Sequence, residues 1–251
     1  MINLKSAEEL AGIKKSCRLL NEIFFKVAAA AKVGVTTEQL NHLAESYIKE
    51  AGAEPSFKKY GGFPAALCTS VNNVVIHGVP SNYGLKEGDI IGLDLGLAFN
   101  GYFSDMARTF AIGKISNDTH NLIKNTKISL NKAIEAITID GRIKDIAKAV
   151  SNYLKPLGYG VVHEYCGHGV GLAVHEEPEI TNDYKKFRGS NPRFRNGMVL
   201  AIEPMVNLGT GDVFVANDKW SVCTADGKLS AHFEDTIAII DGRVEVLTSG
   251  A

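Results

Sequence analysis

Several things are scarce in this sequence: paired cysteines, long apolar runs, an excess of either charge, and tryptophan, of which there is one. The four cysteines, Cys17, Cys68, Cys166 and Cys223, are scattered and never spaced as CxxC. A disulfide framework is therefore not expected, and free thiols in a reducing compartment are the reading. The small-apolar run from Val27 to Ala31 is far too short to span a bilayer, and no stretch approaches the ~20 apolar residues that crossing requires. Lys plus Arg number 27 against 28 Asp plus Glu, so neither a nucleic acid nor an anionic membrane is favoured as main partner. Acidic Glu8 and Glu9 stand where a secretion signal would need an apolar core, which makes the cytoplasm the expected location.

What is present is a chain of 251 residues, 45% hydrophobic, enough to build a substantial core as a single domain over residues 1–251. Ser6-x-x-Glu9 and Thr36-x-x-Gln39 have the form of capping boxes, each opening an amphipathic helix. The first carries Leu10, Ile13, Cys17, Leu20, Phe24 and Val27; the second carries Leu40, Leu43, Ala44, Tyr47 and Ile48 and stops near Gly52. Helical signals return at about 116–137 and 143–154. β-Prone pieces follow around 160–174, 198–205, 213–215 and 231–240.

The second half echoes the first. Leu40, Leu43, Ala44 and Tyr47 match Ile143, Ile146, Ala147 and Val150, and the match resumes after a shift of about one helical turn. Two related α+β halves are expected, with their sheets joined around a central site and helices outside. Pro178 to Gly197 reads as a long surface excursion.

Asn100-Gly101 between two β-prone segments is a strong hairpin signal. With those residues in the turn, Asp94 faces Ala107 and Asp105 faces Gly96, so both aspartates lie on one face. Two carboxylates on an otherwise apolar hairpin need compensation by metal, base or water. A hairpin with one wet face accounts for them equally well.

The glycine-rich stretch Tyr165-Cys166-Gly167-His168-Gly169-Val170-Gly171 offers His168 as a nitrogen ligand, with His163 the less favoured alternative. Glu203 closes the apolar run Val199-Leu200-Ala201-Ile202, and Glu234 sits at the mouth of another. A structural ion pair is open to either glutamate. Taken together, four carboxylates and one histidine suit Mn, Fe, Co or Zn, and bridging carboxylates can hold two ions ~3.5–4 Å apart.

In order, Gly92-Leu93-Asp94-Leu95-Gly96, Ser104-Asp105-Met106-Ala107-Arg108-Thr109-Phe110, the His168 stretch, Ala201-Ile202-Glu203-Pro204 and His232-Phe233-Glu234-Asp235-Thr236 resemble the short bacterial type I methionine aminopeptidases. These belong to the pita-bread metallopeptidase family, and the resemblance covers nearly the whole chain. It implies the pita-bread fold, with two pseudo-symmetric halves, a central antiparallel sheet and outer helices. It further implies hydrolytic removal of the initiator methionine, preferentially before a small second residue, by a metal-activated water.

The same resemblance implies two divalent ions (Co, Mn, Fe or Zn) held by Asp94, Asp105, His168, Glu203 and Glu234, with Asp105 and Glu234 bridging. It implies catalytic roles for His77, His175 and Glu203, and a substrate pocket from Phe57, Tyr60, Phe63, Cys68 and Trp220 together with His77 and His175. The implied partners are N-terminal methionyl peptides and nascent chains, with transient ribosome contact and a monomeric state. Leu172 and Val174 depart from the family, which has Arg and Phe there. An aminopeptidase of broader first-residue specificity, or a non-enzymatic peptide- or ribosome-binding relative, are the alternative functions.

Overall fold

The computed structural model describes residues 2–249. Its chain runs twice through one order, a helix pair followed by strands. The first pass is α1 (Ala7–Ala30), α2 (Thr37–Glu50), β1 (Glu54–Pro55), β2 (Leu67–Val71), β3 (Val74–Ile76), β4 (Ile90–Phe99) and β5 (Tyr102–Ala111). The second is α3 (Asn117–Glu135), α4 (Ile143–Leu154), β6 (Gly160–Val161), β7 (Cys166–Gly169), β8 (Glu176–Thr181), β9 (Val199–Ile202), β10 (Met205–Asn207), β11 (Val213–Val215), β12 (Val222–Thr224), β13 (Ser230–His232), β14 (Glu234–Ile240) and β15 (Arg243–Val246).

Both expected capping boxes form. The Ser6 and Thr36 hydroxyls accept from the amides of Glu9 and Gln39, whose side chains accept the cap amides in return, so α1 and α2 start where unpaired N–H groups find local partners. The echoing stripes are buried in each half. Leu40, Ala44 and Ile48 of α2 pack with Leu20, Phe24 and the inner residues of β4, while Ile143, Ile146, Val150 and Leu154 of α4 pack with Leu122, Leu130 and the inner residues of β9 and β14. Each helix pair thus covers its own apolar sheet face.

A nine-stranded antiparallel sheet runs through both halves in the order β1-β4-β5-β14-β9-β7-β8, with β2 also on β4 and β15 also on β14. The β-prone pieces around 198–205 and 231–240 each break once and change sheet. Thus β9 and β14 pair in the large sheet, while β10 and β13 pair in a small sheet with β6. Ile202↔Asp235 and Met205↔His232 belong to one register, interrupted at Glu203-Pro204, whose proline has no amide to donate. Glu203 consequently stands opposite Glu234.

The halves join where β5 meets β14. Glu234↔Ala107 and Asp235↔Met106 are the Cα partners there, and a threonine takes over on either side. Thr236 Oγ1 donates to Asp105 O at 2.8 Å and accepts from Asp105 N at 3.3 Å. Thr109 Oγ1 does the same for His232 O at 3.0 Å and His232 N at 2.9 Å. The two bridges are related by an approximate two-fold axis, so the expected pair of halves is realised and its axis runs through the sheet centre. No helix among the described residues is long and apolar enough to cross a membrane.

Candidate metal centre and peptide pocket

The β4/β5 hairpin has the register its turn sequence predicts. Asn100 and Gly101 both take positive φ (52° and 81°), Phe99 faces Tyr102, Asp94 faces Ala107, and Gly96 faces Asp105. Crossing the sheet, Asp94, Ala107, Glu234 and Glu203 form one row on one face. In the neighbouring row of that face, Asp105 is followed by Thr236, Ala201 and His168. Strand alternation therefore places all five candidate donors on one face, from four strands of both halves and the residue that follows β9.

Single donor atoms of Asp105, His168 and Glu234 all lie within 4.8 Å of one another. His168 Nε2 is 3.5 Å from Glu203 Oε1. His168 Nδ1–H donates to Gly169 O at 2.9 Å, which fixes the tautomer and leaves the Nε2 lone pair facing the carboxylates. Burial pushes the imidazole pKa down to about 3, so it is neutral across the physiological range. Glycine is required beside it, because a Cβ at Gly167 would sit 2.4 Å from Ala201 O and one at Gly169 2.4 Å from Glu177 O.

The carboxyls are forced the other way. Burial raises Asp94 to about 7 and holds Asp105, Glu203 and Glu234 well above the usual carboxylate range. Mutual repulsion adds to the effect at Asp105 and Glu234. Asp94 Oδ1, Asp105 Oδ1 and Glu234 Oε1 are buried without any hydrogen-bond partner. Hard and borderline divalent cations complete such a set, since they satisfy the orphaned oxygens and cancel the repulsion.

A cavity of about 320 Å³ opens beside the cluster. All five donors line it, as do Phe57, Tyr60, Phe63, Cys68, His77, His175 and Trp220, so the five favoured ligands and the seven expected pocket residues converge on one space. Phe57, Phe63 and Cys68 are buried and pack with Val174 and Trp220 as its apolar floor. Gly96 makes room for that floor: a Cβ there would meet Ser56 Oγ at 2.3 Å and the Phe57 ring at 2.8 Å.

His77 lies on the rim with positive φ (57°), a strained backbone for a non-glycine residue, and burial lowers it to about 4. His175 Nδ1 is 2.9 Å from the Tyr60 hydroxyl, its ring centroid 4.2 Å from that of His168, and burial lowers its pKa as well. His163 does not line the cavity and pairs loosely with Glu164 at 3.5 Å.

Ile76, Tyr165 and Cys166 also line the cavity, although nothing in the sequence singles them out for it. His232 is a further residue that sequence reasoning misses. It is 3% exposed, with Nε2 3.4 Å from Glu203 Oε2 but not hydrogen-bonded to it. A signal for it exists, since it precedes Glu234 by two in a β-prone run and so shares that residue's face.

The model of metallopeptidase family M24 matches residues 11–241. A methionine aminopeptidase of Clostridium acetobutylicum is 48% identical over 249 residues, covering 99% of both chains, and methionine aminopeptidase 1 of Bacillus subtilis is 42% identical over 99% of both. The crystal structure of methionine aminopeptidase from Rickettsia prowazekii superposes with a TM-score of 0.95 at 33% identity, covering 99% of this chain and 100% of that one. Prolidase from Pyrococcus furiosus, at 24% identity, shares the fold with a TM-score of 0.81. A shared architecture, full-length identity to curated relatives and a buried oxygen-rich donor set agree, and the chain belongs to metallopeptidase family M24, among its methionine aminopeptidases.

Proposed function

We propose that this protein releases the N-terminal methionine of peptides and nascent proteins, with Asp94, Asp105, His168, Glu203 and Glu234 as the residues that would hold two divalent ions. The observation that carries the reading is the convergence of five donors from both halves on one sheet face, directly beside a mostly apolar cavity of about 320 Å³. Bound ions there supply an activated water and stabilise negative charge on the attacked carbonyl.

The chain's own residues do the rest. Phe57, Phe63, Cys68 and Trp220 receive an unbranched apolar side chain without stranding a polar group. Asp94 takes the free amine, so a chain terminus is admitted and internal peptide bonds are excluded. With Tyr60 O–H donating to Nδ1, His175 presents Nε2–H to the developing oxyanion. His77, neutral and held at the rim, contacts the scissile amide. Glu203, at the edge of the donor set, exchanges a proton with the leaving amine.

Release of methionine from Met-Ala-Ser by Mn-loaded protein, with an N-acetylated control left intact, is the expected result. Folded protein inactive with Mn, Fe, Co and Zn alike would overturn the assignment. A second reading, broader first-residue specificity, is favoured by Val174, which fills less of the floor than the ring carried by the family at that position. A panel varying the first residue separates the two: methionine alone, or leucine and norleucine at comparable kcat/KM.

A further inference from the structure

The turn that carries His175 is held from outside the cavity by a buried ion pair. Lys5, in the arm before α1, places Nζ 2.6 Å from Glu176 Oε2, and the two side chains are only 1% and 5% exposed. Asn3 Nδ2 donates to the same oxygen at 3.1 Å. Glu176 Oε1 faces the other way and accepts from the amides of Leu172 at 2.7 Å and Ala173 at 3.2 Å. A single carboxylate thus closes the turn between β7 and β8 on one side and fastens it to the arm on the other.

The arm is anchored in its turn, with Lys5 N donating to Gly197 O at 2.7 Å. Gly171, at φ 127°, lets Lys5 and Ile13 close against the start of the turn, since a Cβ there would lie 2.5 Å from Ile13 Cδ1 and 3.3 Å from Lys5 Cε. Burial works against ionising Glu176, yet the hydrogen bonds from Lys5 and the Leu172 amide keep its carboxyl below the usual range.

A buried ion pair is a poor source of net stability, because removing two charges from water offsets most of their attraction. What it supplies is direction. Val174, next to His175, enters the cavity floor and His175 reaches the Tyr60 hydroxyl and the His168 ring, so a rotation of the turn would move both. We propose that Lys5 and Glu176 are positioning residues for the reaction: the N-terminal arm clamps the 172–176 turn so that His175 stays aimed at the substrate carbonyl. This rests on the reading that His175 contacts substrate.

The test is a double-mutant cycle in the metal-loaded enzyme, comparing Lys5→Met, His175→Ala and their combination. Lys5→Met/Glu176→Gln is run beside Lys5→Met, because it leaves no unpaired buried charge should the single variant fold poorly. Misplacing a substrate-positioning group by about an ångström costs up to ~100-fold. Lys5→Met is expected to lower kcat on Met-Ala-Ser roughly 10-fold to 100-fold with metal stoichiometry unchanged, and by less than about twofold when His175 is already alanine. In the doubly neutral variant, the His175 imidazole NMR signals shift and the Leu172 and Ala173 amides exchange faster.

Equal losses in both backgrounds, or no loss with His175 present, overturn the proposal. Unaltered His175 signals and amide protection overturn it whatever the activity does. Full activity of His175→Ala alone refutes the role of His175 instead, and the NMR and exchange data then decide the clamp separately.

Discussion

Replacing Asp94 by Asn should change stability in opposite directions with and without metal. Asp94 lies in a row of three acidic side chains, its Oδ1 is buried without a partner, and burial raises its pKa from the ordinary 3.8 to about 7. A carboxyl whose folded pKa exceeds its unfolded value binds its proton more tightly in the folded state. Its contribution therefore favours the metal-free fold below about pH 4, and that advantage is lost as the pH rises through about 7. Three pH units of displacement correspond to about 4 kcal/mol above pH 7, of which less than half has been lost at pH 5.

Asparagine keeps the shape and removes the titration. Chelated Asp94→Asn protein is thus expected to exceed the chelated parent at pH 8 by up to about 4 kcal/mol, and by much less at pH 5. With Mn added, the order inverts, because the parent gains ligand-linked stability that the variant cannot match. Urea unfolding of both proteins, at both pH values and with and without Mn, reads all four differences. An Asp94→Asn variant that loses stability in chelator at pH 8, or gains equally at pH 5 and pH 8, would falsify the electrostatic account of the cluster.

Two further substitutions probe what surrounds the cluster. Thr236→Val strands the buried Asp105 amide and carbonyl at the joint between the halves and should cost ~1–3 kcal/mol in urea unfolding, with Thr236→Ser restoring most of it. Equal stability of Val and Ser variants would remove the bridge from the argument. Gly96→Ala forces a methyl group against Ser56 and Phe57 and should raise KM for Met-Ala-Ser more than it lowers kcat, with ~1–3 kcal/mol lost from stability; steady-state kinetics showing an unchanged KM would refute the role given to that glycine.

The Asn100-Gly101 turn makes part of this site legible in the amino-acid order. Because side chains alternate with period two, a two-residue turn fixes which residues face each other, and Asp94 and Asp105 are bound to share a face. The capping boxes and apolar stripes of α1 and α2 are equally local and equally readable. Glu203, Glu234 and His168 are different: the glutamates look like acidic groups bordering apolar runs and the histidine like a ring in a glycine-rich stretch, and only ordered resemblance to a family ties them to the aspartates.

Their convergence depends on β5 pairing with β14 and β9 with β7, contacts between residues far apart in sequence that no local pattern encodes. The same holds for His232 beside Glu203 and for Lys5 under the His175 turn, which lie 29 and 170 positions apart respectively. Sequence by itself determined the periodicities, the turn and therefore which side chains share a strand face. The tertiary structure decided which strands became neighbours, and with that which buried charges had to be satisfied together.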